Sequence, residues 1–422
     1  MRNIYIGDRG VIVQYLQLAL NRAGFPIAIT GHFERETCTA LRAFLKNSVG
    51  CYVDRAAWTK LLPYLKGYTT HIITLGDTLY SIADAYGSSV SAITTANPTI
   101  QADNLQTGKR IYIPFLFPLV SEEVPYTSML NELVIEGLSI RYPFIATGCI
   151  GQSVMGKSVM FMQLGRGQKQ VFYNASFHAN EWITTPVLLK FAEDYSKAYA
   201  ENTDIYGEDA QRLFSEFSLY MVPMVNPDGV DLVNGVLKDE AYKRSTADIA
   251  ANYPDIPYPD GWKANIEGVD LNLQFPAGWE QAREIKFAQG FTGPAPRDYV
   301  GESWLVAPES MNIYNFTISH DFRLILAYHT QGEVIYWKYL NYEPENSRRI
   351  AEYFGEVSGY TVEDTPYASG FAGYKDWFIQ GYNRPGYTIE AGLGENPLDM
   401  SRFETVYENN KYILLGGMTQ IL

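Results

Sequence analysis

The 422 residues are too many for one ordinary core and enough for two or three domains. With 46% hydrophobic and 19% charged residues, the chain reads as a folded globular protein rather than a disordered one. A net charge of −14 excludes nucleic acid as an expected partner, because neutralising phosphates takes basic patches. No window approaches the roughly 20 apolar residues that span a bilayer, so no membrane span is expected. The opening MRNIYIGDRG lacks a charged n-region followed by an apolar h-region, so no Sec signal is visible. Cys38, Cys51 and Cys149 are irregularly spaced, forming neither a disulfide framework nor a C-x-x-C metal site; buried or idle thiols are expected. The 32 tyrosines and 7 tryptophans suit aromatic surfaces that meet sugars or peptides, but aromatics also fill cores.

Residues 1–66 read as a small helical unit. Asp8 is placed to cap a first helix whose Val13, Leu16 and Leu20 fall on one stripe. A turn near Gly31 leads to a second stripe, Thr37, Leu41 and Phe44, and Trp58, Leu61, Leu62 and Leu65 form a third. The order GDRG–VxxLQxxL–G–HFExxTxxALxxFL resembles the peptidoglycan-binding-type three-helix domain, with CYVD where a DG turn is usual.

Residues 70–115 read as strand, helix, helix, strand. THIIT is a β-branched run, Asp77 caps a helix from Thr78 to Tyr86, Ala92 to Asn97 is a second helix ended by Pro98, and RIYIP is a strand after Gly108. Nearly the whole segment HIITLGDTLYSIADAYGSSVSAITTANP…LQTGKRIYIP resembles a LysM domain. That resemblance implies a shallow groove for the N-acetylglucosamine backbone of peptidoglycan or chitin. The groove would lie between the loop Gly76, Asp77, Thr78, Leu79 and the loop from Asn97 to Ile100.

FLFPLV, with two prolines, reads as a linker. From residue 122 to 422 strands alternate with helices: QVFYNASFH, then TTPVLLKFAEDYSKAYA; FSLYMVPMVN; SMNIYNFTISH, then FRLILAYHT. Such alternation predicts an α/β domain with a mostly parallel or mixed sheet flanked by helices, whose ligand site lies at the carboxyl ends of its strands. The expectation is therefore multidomain: a three-helix domain, a βααβ domain and an α/β domain.

The chemistry-bearing residues meet that demand. His178 and Glu181 follow the strand QVFYNASFH, His329 ends FRLILAYH, and Glu390 ends PGYTIE. H-x-x-E alone is a weak signal, and a lone histidine at a strand end is more often structural. Together, two imidazoles and a carboxylate satisfy the three-ligand rule of catalytic zinc sites, leaving Glu390 free to act as a base. No H-E-x-x-H motif competes. His32 and His71 lie in the small domains, and His320 ends a helix facing no obvious partner.

From residue 122 onward the chain resembles the zinc carboxypeptidase family, carried by YPFIATGCIGQSVMGKSV, FHANEW, VPMVNPDGVDL, WKANIEGVDLN, GPAPRDYVGES…APES, AYHTQG and PGYTIEAGLGENPL. The resemblance implies one Zn²⁺ per chain on His178, Glu181 and His329, with Glu390 as base and later proton donor. It also implies that Asn272 binds substrate and that Tyr367 is a mobile tyrosine over the site.

Three positions depart from the family pattern. Leu273 stands where an arginine usually grips the substrate's terminal carboxylate, Lys263 where an arginine stabilises the oxyanion, and Gln331 where a tyrosine is usual. The pattern is most similar to the γ-D-glutamyl-diamino acid endopeptidases, which cleave peptidoglycan stems between γ-D-glutamate and diaminopimelate (or lysine). The expected partners are then glycan strands and stem peptides, with the two small modules tethering the enzyme to the wall. Three alternatives stay open: a true carboxypeptidase, rescued by an arginine from elsewhere in the cleft; a non-catalytic wall-binding protein; and an amidase or deacylase of the same fold. Wall-binding modules without a Sec signal leave a cell-wall or spore-associated setting, or a cytoplasmic one, equally open.

Overall fold

The structure, a computed structural model, describes residues 2–46 and 50–421. Its chain divides into two units, Met1–Val124 with Glu132–Ala146, and Pro125–Asn131 with Thr147–Leu422.

In the first unit the helices are Val11–Arg22, Arg35–Leu45 and Arg55–Lys66, and the expected stripe residues Val13, Leu16, Leu20, Leu41, Trp58, Leu61 and Leu65 are buried. A buried amide joins the first two helices: Gln17 Nε2 donates to Thr30 Oγ1, His32 O and Thr37 Oγ1, and its Oε1 accepts from Gly31 N. Two expectations are corrected here. Asp8 is not the cap of the first helix; Gly10 occupies that position, and Asp8 Oδ2 accepts from Tyr5 N in the preceding turn. Cys38 and Cys51 are not idle thiols but a disulfide, with Cα atoms 5.3 Å apart. The pairing of Ile4–Tyr5 with Tyr52–Val53 helps bring Cys51 back to helix Arg35–Leu45, a closeness that sequence spacing does not reveal. Cys149 is free and exposed.

The same unit contains the βααβ element, with antiparallel strands Tyr68–Ile72 and Arg110–Pro114 and helices Leu79–Tyr86 and Val90–Ala96. Its core is Ile73, Leu79, Ile82, Ala83, Ile93, Ile111 and Ile113. Thr78, not Asp77, caps the first helix, through a reciprocal capping box with Ser81. Asp77 instead accepts from Thr74 N and lies 2.8 Å from His71 Nε2.

The second unit is built on an eight-stranded mixed sheet. Its strands, labelled in chain order, are β1 (Ala146–Gln152), β2 (Ser158–Leu164), β3 (Lys169–Ala175), β4 (Phe217–Val222), β5 (Phe322–His329), β6 (Val334–Tyr336), β7 (Thr361–Glu363) and β8 (Gly386–Glu390). Their spatial order is β7-β6-β8-β5-β3-β4-β2-β1. The four central strands β8, β5, β3 and β4 run parallel, while β6 and β2 are antiparallel to their central neighbours. Val171, Phe172, Tyr173, Leu324, Ile325, Leu326 and Ile389 are fully buried, as the near-continuous apolar runs of a covered parallel sheet require. Helices Thr184–Glu201, Pro308–Ile318, Tyr374–Tyr382 and Phe403–Thr419 each bury an apolar face. No helix among the described residues is long and apolar enough to cross a membrane.

Candidate active site

Three neighbouring parallel strands end at one edge of this sheet, and the chemistry-bearing residues sit where they stop. β5 and β8 are in register, with His329 opposite Glu390. Tyr328 is opposite Ala175, the last residue of β3, so His178 lies just beyond that end. Ser176 adopts a left-handed φ of 51°, and its hydroxyl pairs with Thr185 at 2.8 Å, locking the bend out of β3. The chain then enters the short 3₁₀ turn Ala179–Glu181, whose first N–H donates to Lys263 O. That turn brings Glu181 back beside His178, fully buried.

The donor atoms converge. His178 Nδ1 lies 2.9 Å from Glu181 Oε1 and 3.2 Å from His329 Nδ1, and His329 Nδ1 lies 2.9 Å from Glu181 Oε2. Ligand atoms on a tetrahedral zinc with bonds of about 2.0–2.1 Å stand about 3.3 Å apart, close to the spacing found here. Among the described residues this trio forms a group able to hold a metal ion, its ligand atoms lying within 4.8 Å of one another. Its two nitrogens and one carboxylate are the donor types zinc takes.

The surrounding groups tune these donors. Asp270 Oδ1 sits 3.1 Å from His178 Nε2, the ring nitrogen facing away from the trio, and Asp270 is itself held by the N–H groups of Asn272 and Asp298. This is the carboxylate–histidine arrangement that orients metal ligands. Burial alone would depress the His178 imidazole, but Glu181 and Asp270 push it up to about 9. Burial would raise the Glu181 carboxyl, yet His178 and Lys263 hold it well below the usual range. The cluster thus favours positive charge between its carboxylates, which a divalent cation supplies. Burial also raises the Glu390 carboxyl, partly offset by His329 and Lys263.

Two cavities meet at this edge. The inner one, about 200 Å³, is lined by His178, His329, Asn272, Leu273 and Glu390, and the outer one, about 660 Å³, by Gln331, Asn180, Lys263 and Glu390. Asn272 Oδ1 accepts from Tyr374 N, and its amide nitrogen lies 3.5 Å from His329 Nε2. Lys263 borders both cavities, and its ammonium donates to Glu181 Oε1 at 2.8 Å.

The fold therefore brings His178, Glu181, His329, Glu390, Lys263, Asn272, Leu273 and Gln331 together. Tyr367 stands apart: it is 66% exposed against the Phe371 ring, and its neighbours Thr365, Pro366 and Ser369 form the cavity wall. His320 does have partners, Phe316 O and the stacked ring of Phe322, so it is a structural histidine.

Sequence reasoning missed four groups. Asp270 stands two residues before Asn272, and that proximity was its only signal. The others are Arg297 and the pairs Lys286–Asp298 and Lys375–Asp376, which make the inner cavity strongly charged.

In the βααβ element the named groove residues have local structural roles. Gly76 supplies a left-handed turn, Leu79 is core, and Ile100 packs on the same core. The Asn97 side chain bridges Ile93 O and both backbone groups of Tyr112. The side chains projecting outward are Leu75, 95% exposed, and Tyr80, 76% exposed.

A family model described as zinc carboxypeptidase matches residues 132–412, and one described as LysM domain matches residues 71–114. The chain belongs to the zinc carboxypeptidase family. It is a zinc metallopeptidase carrying a LysM domain. Over 294 residues it is 46% identical to gamma-D-glutamyl-L-diamino acid endopeptidase 1 of Lysinibacillus sphaericus, covering 69% of this chain and 72% of that protein. It is 40% identical over 298 residues to the uncharacterized protein YqgT of Bacillus subtilis, covering 70% and 77%. Bovine thrombin-activatable fibrinolysis inhibitor shares the fold, with a TM-score of 0.55 at 16% identity over 71% of this chain and 98% of that one.

Proposed function

We propose that this zinc peptidase hydrolyses peptidoglycan stem peptides at the bond between γ-D-glutamate and diaminopimelate (or lysine), with His178, Glu181 and His329 holding the metal. The observation that carries this reading is Leu273. A buried leucine borders the inner cavity where the family's carboxylate-gripping arginine is expected, so a free C-terminus finds no fork at that position. The 46% identical Lysinibacillus endopeptidase supports the same bond.

Zinc, when bound, supplies Lewis acidity that polarises the scissile carbonyl and the attacking water. Glu390, bordering both cavities, takes the proton from that water and passes it to the leaving amine. Lys263 brings a positive charge beside the developing oxyanion, as a point charge rather than a fork. Asn272, anchored on Tyr374 N, positions substrate in the inner cavity. Asp270 keeps the outward nitrogen of His178 protonated and its ring oriented. The LysM domain and the helical segment hold glycan strands and raise the local concentration of stem peptide.

Asp270→Asn is expected to weaken zinc affinity about 10- to 100-fold without unfolding the chain. Competition with a chelator reads this directly, and an unchanged affinity would remove Asp270 from its supporting role.

A C-terminal carboxypeptidase is the second reading, favoured by one observation: the Arg297 guanidinium borders the inner cavity. Mass spectrometry of the products separates the two. With zinc, L-Ala-γ-D-Glu-diaminopimelate-D-Ala should yield L-Ala-D-Glu and diaminopimelyl-D-Ala, and a chelator should stop the reaction. Release of only the terminal D-Ala would establish the exopeptidase instead.

A further inference from the structure

Arg297 borders both cavities, together with Lys263 and Glu390, and so stands at the junction where the reacting carbonyl must lie. Its Nε donates to Asp298 Oδ2 at 2.6 Å, which fixes the plane of the guanidinium. Its two terminal nitrogens make no hydrogen bond to a described residue, and the side chain is 43% exposed. Asp298 is shared, since its Oδ1 also accepts from Lys286 Nζ at 2.5 Å. Two cations therefore divide one carboxylate, with the buried Asp270 and Glu181 also acting on the Arg297 charge from a greater distance. Lys263 is held toward Glu181 and the reacting carbonyl, which leaves Arg297 as the cation at this junction with uncommitted donors. An anchored fork with free terminal nitrogens, bordering both cavities, suits bidentate capture of a carboxylate.

We propose that Arg297 is a specificity-determining residue that binds the free α-carboxylate of the γ-linked D-glutamyl residue. The inference rests on the stem-peptide reading above. A γ-linkage leaves an α-carboxylate three carbons from the scissile carbonyl, a group that an ordinary α-peptide lacks at that place. An endopeptidase must tolerate chain beyond the diamino acid, so the carboxylate on its peptide-forming carbon is not always free. The glutamyl α-carboxylate takes no part in that extension. Its capture by Arg297 explains how the cleft selects an isopeptide bond although Leu273 has removed the other grip.

The test is a cycle of enzyme and substrate changes on the zinc-loaded full chain. Wild type and Arg297→Gln are each assayed on L-Ala-γ-D-Glu-diaminopimelate and on the same peptide with the D-glutamyl α-carboxylate amidated. Amidation should lower kcat/KM of the wild type about 10- to 100-fold, as expected for losing a charge-assisted pair. Arg297→Gln should lose about as much on the parent peptide and discriminate little between the two. Arg297→Lys, which keeps charge and loses the fork, should fall between them. Equal wild-type rates on both peptides would overturn the inference whatever the variants do. So would a cycle that responds instead to a D-Ala extension, which turns the peptide-forming carboxylate of diaminopimelate into an amide and leaves the glutamyl carboxylate untouched. Turnover of neither peptide with zinc present would sink the stem-peptide reading itself, and this inference with it.

Discussion

Glu390→Gln is expected to lower kcat on a stem peptide by about 10³-fold while leaving zinc content near one per chain. Glutamine keeps the size and most of the hydrogen-bonding shape of glutamate but cannot take a proton at pH 7. The residue ends β8, in register with His329 on β5, so the backbone that carries it is fixed by the sheet. It is not part of the donor trio, so metal binding should survive. Turnover and metal content measured on the same preparation separate the two roles. Substantial remaining activity would show that Glu390 is not the base, and loss of zinc would make it part of the metal site.

His329→Ala should have the opposite signature, with the metal and the activity lost together. The imidazole is buried, 1% exposed, and its Nδ1 faces both His178 and Glu181. Removing it leaves two ligands, so affinity should fall by more than the roughly 10- to 100-fold that follows loss of a supporting contact. Excess zinc should restore little turnover. The stabilisation that zinc lends the wild type, about 4 kcal/mol at a thousandfold excess over Kd, should disappear at the same zinc concentration. Thermal unfolding with and without zinc, run beside elemental analysis, checks this. A variant that keeps its zinc through dialysis would remove His329 from the ligand set.

Much of this site was legible in the sequence because it is written at strand ends. The apolar runs before His178, His329 and Glu390 read as central strands, and parallel neighbours deliver their last residues to one edge. The rest depended on contacts that no local pattern encodes. Asp270 reaches His178 across 92 positions, and Arg297 takes its importance from a cavity shared with Lys263 and Glu390. Cys38 and Cys51 meet beside the pairing of the short strands Ile4–Tyr5 and Tyr52–Val53, a contact that sequence spacing does not encode. The two misplaced helix caps illustrate a finer limit. Asp8 and Asp77 are both good capping residues, but each lies just before the true cap and bonds within the turn leading to it. The LysM resemblance puts Asn97 beside the groove, and the fold adds a role no local pattern shows: its amide bonds Ile93 O and both backbone groups of Tyr112, holding the strand beside it.

The Leu273 position links site and substrate. Leucine there belongs to the core that packs beneath the cavity, so the departure from arginine is a structural commitment, not a surface drift.

The measurement that tests the central claim most directly is zinc-edge anomalous diffraction from crystals of the full chain grown with zinc. The account predicts a strong peak bounded by His178 Nδ1, His329 Nδ1 and the Glu181 carboxylate, with Glu390 outside the coordination shell. A zinc peak elsewhere, or none at that trio, would contradict it.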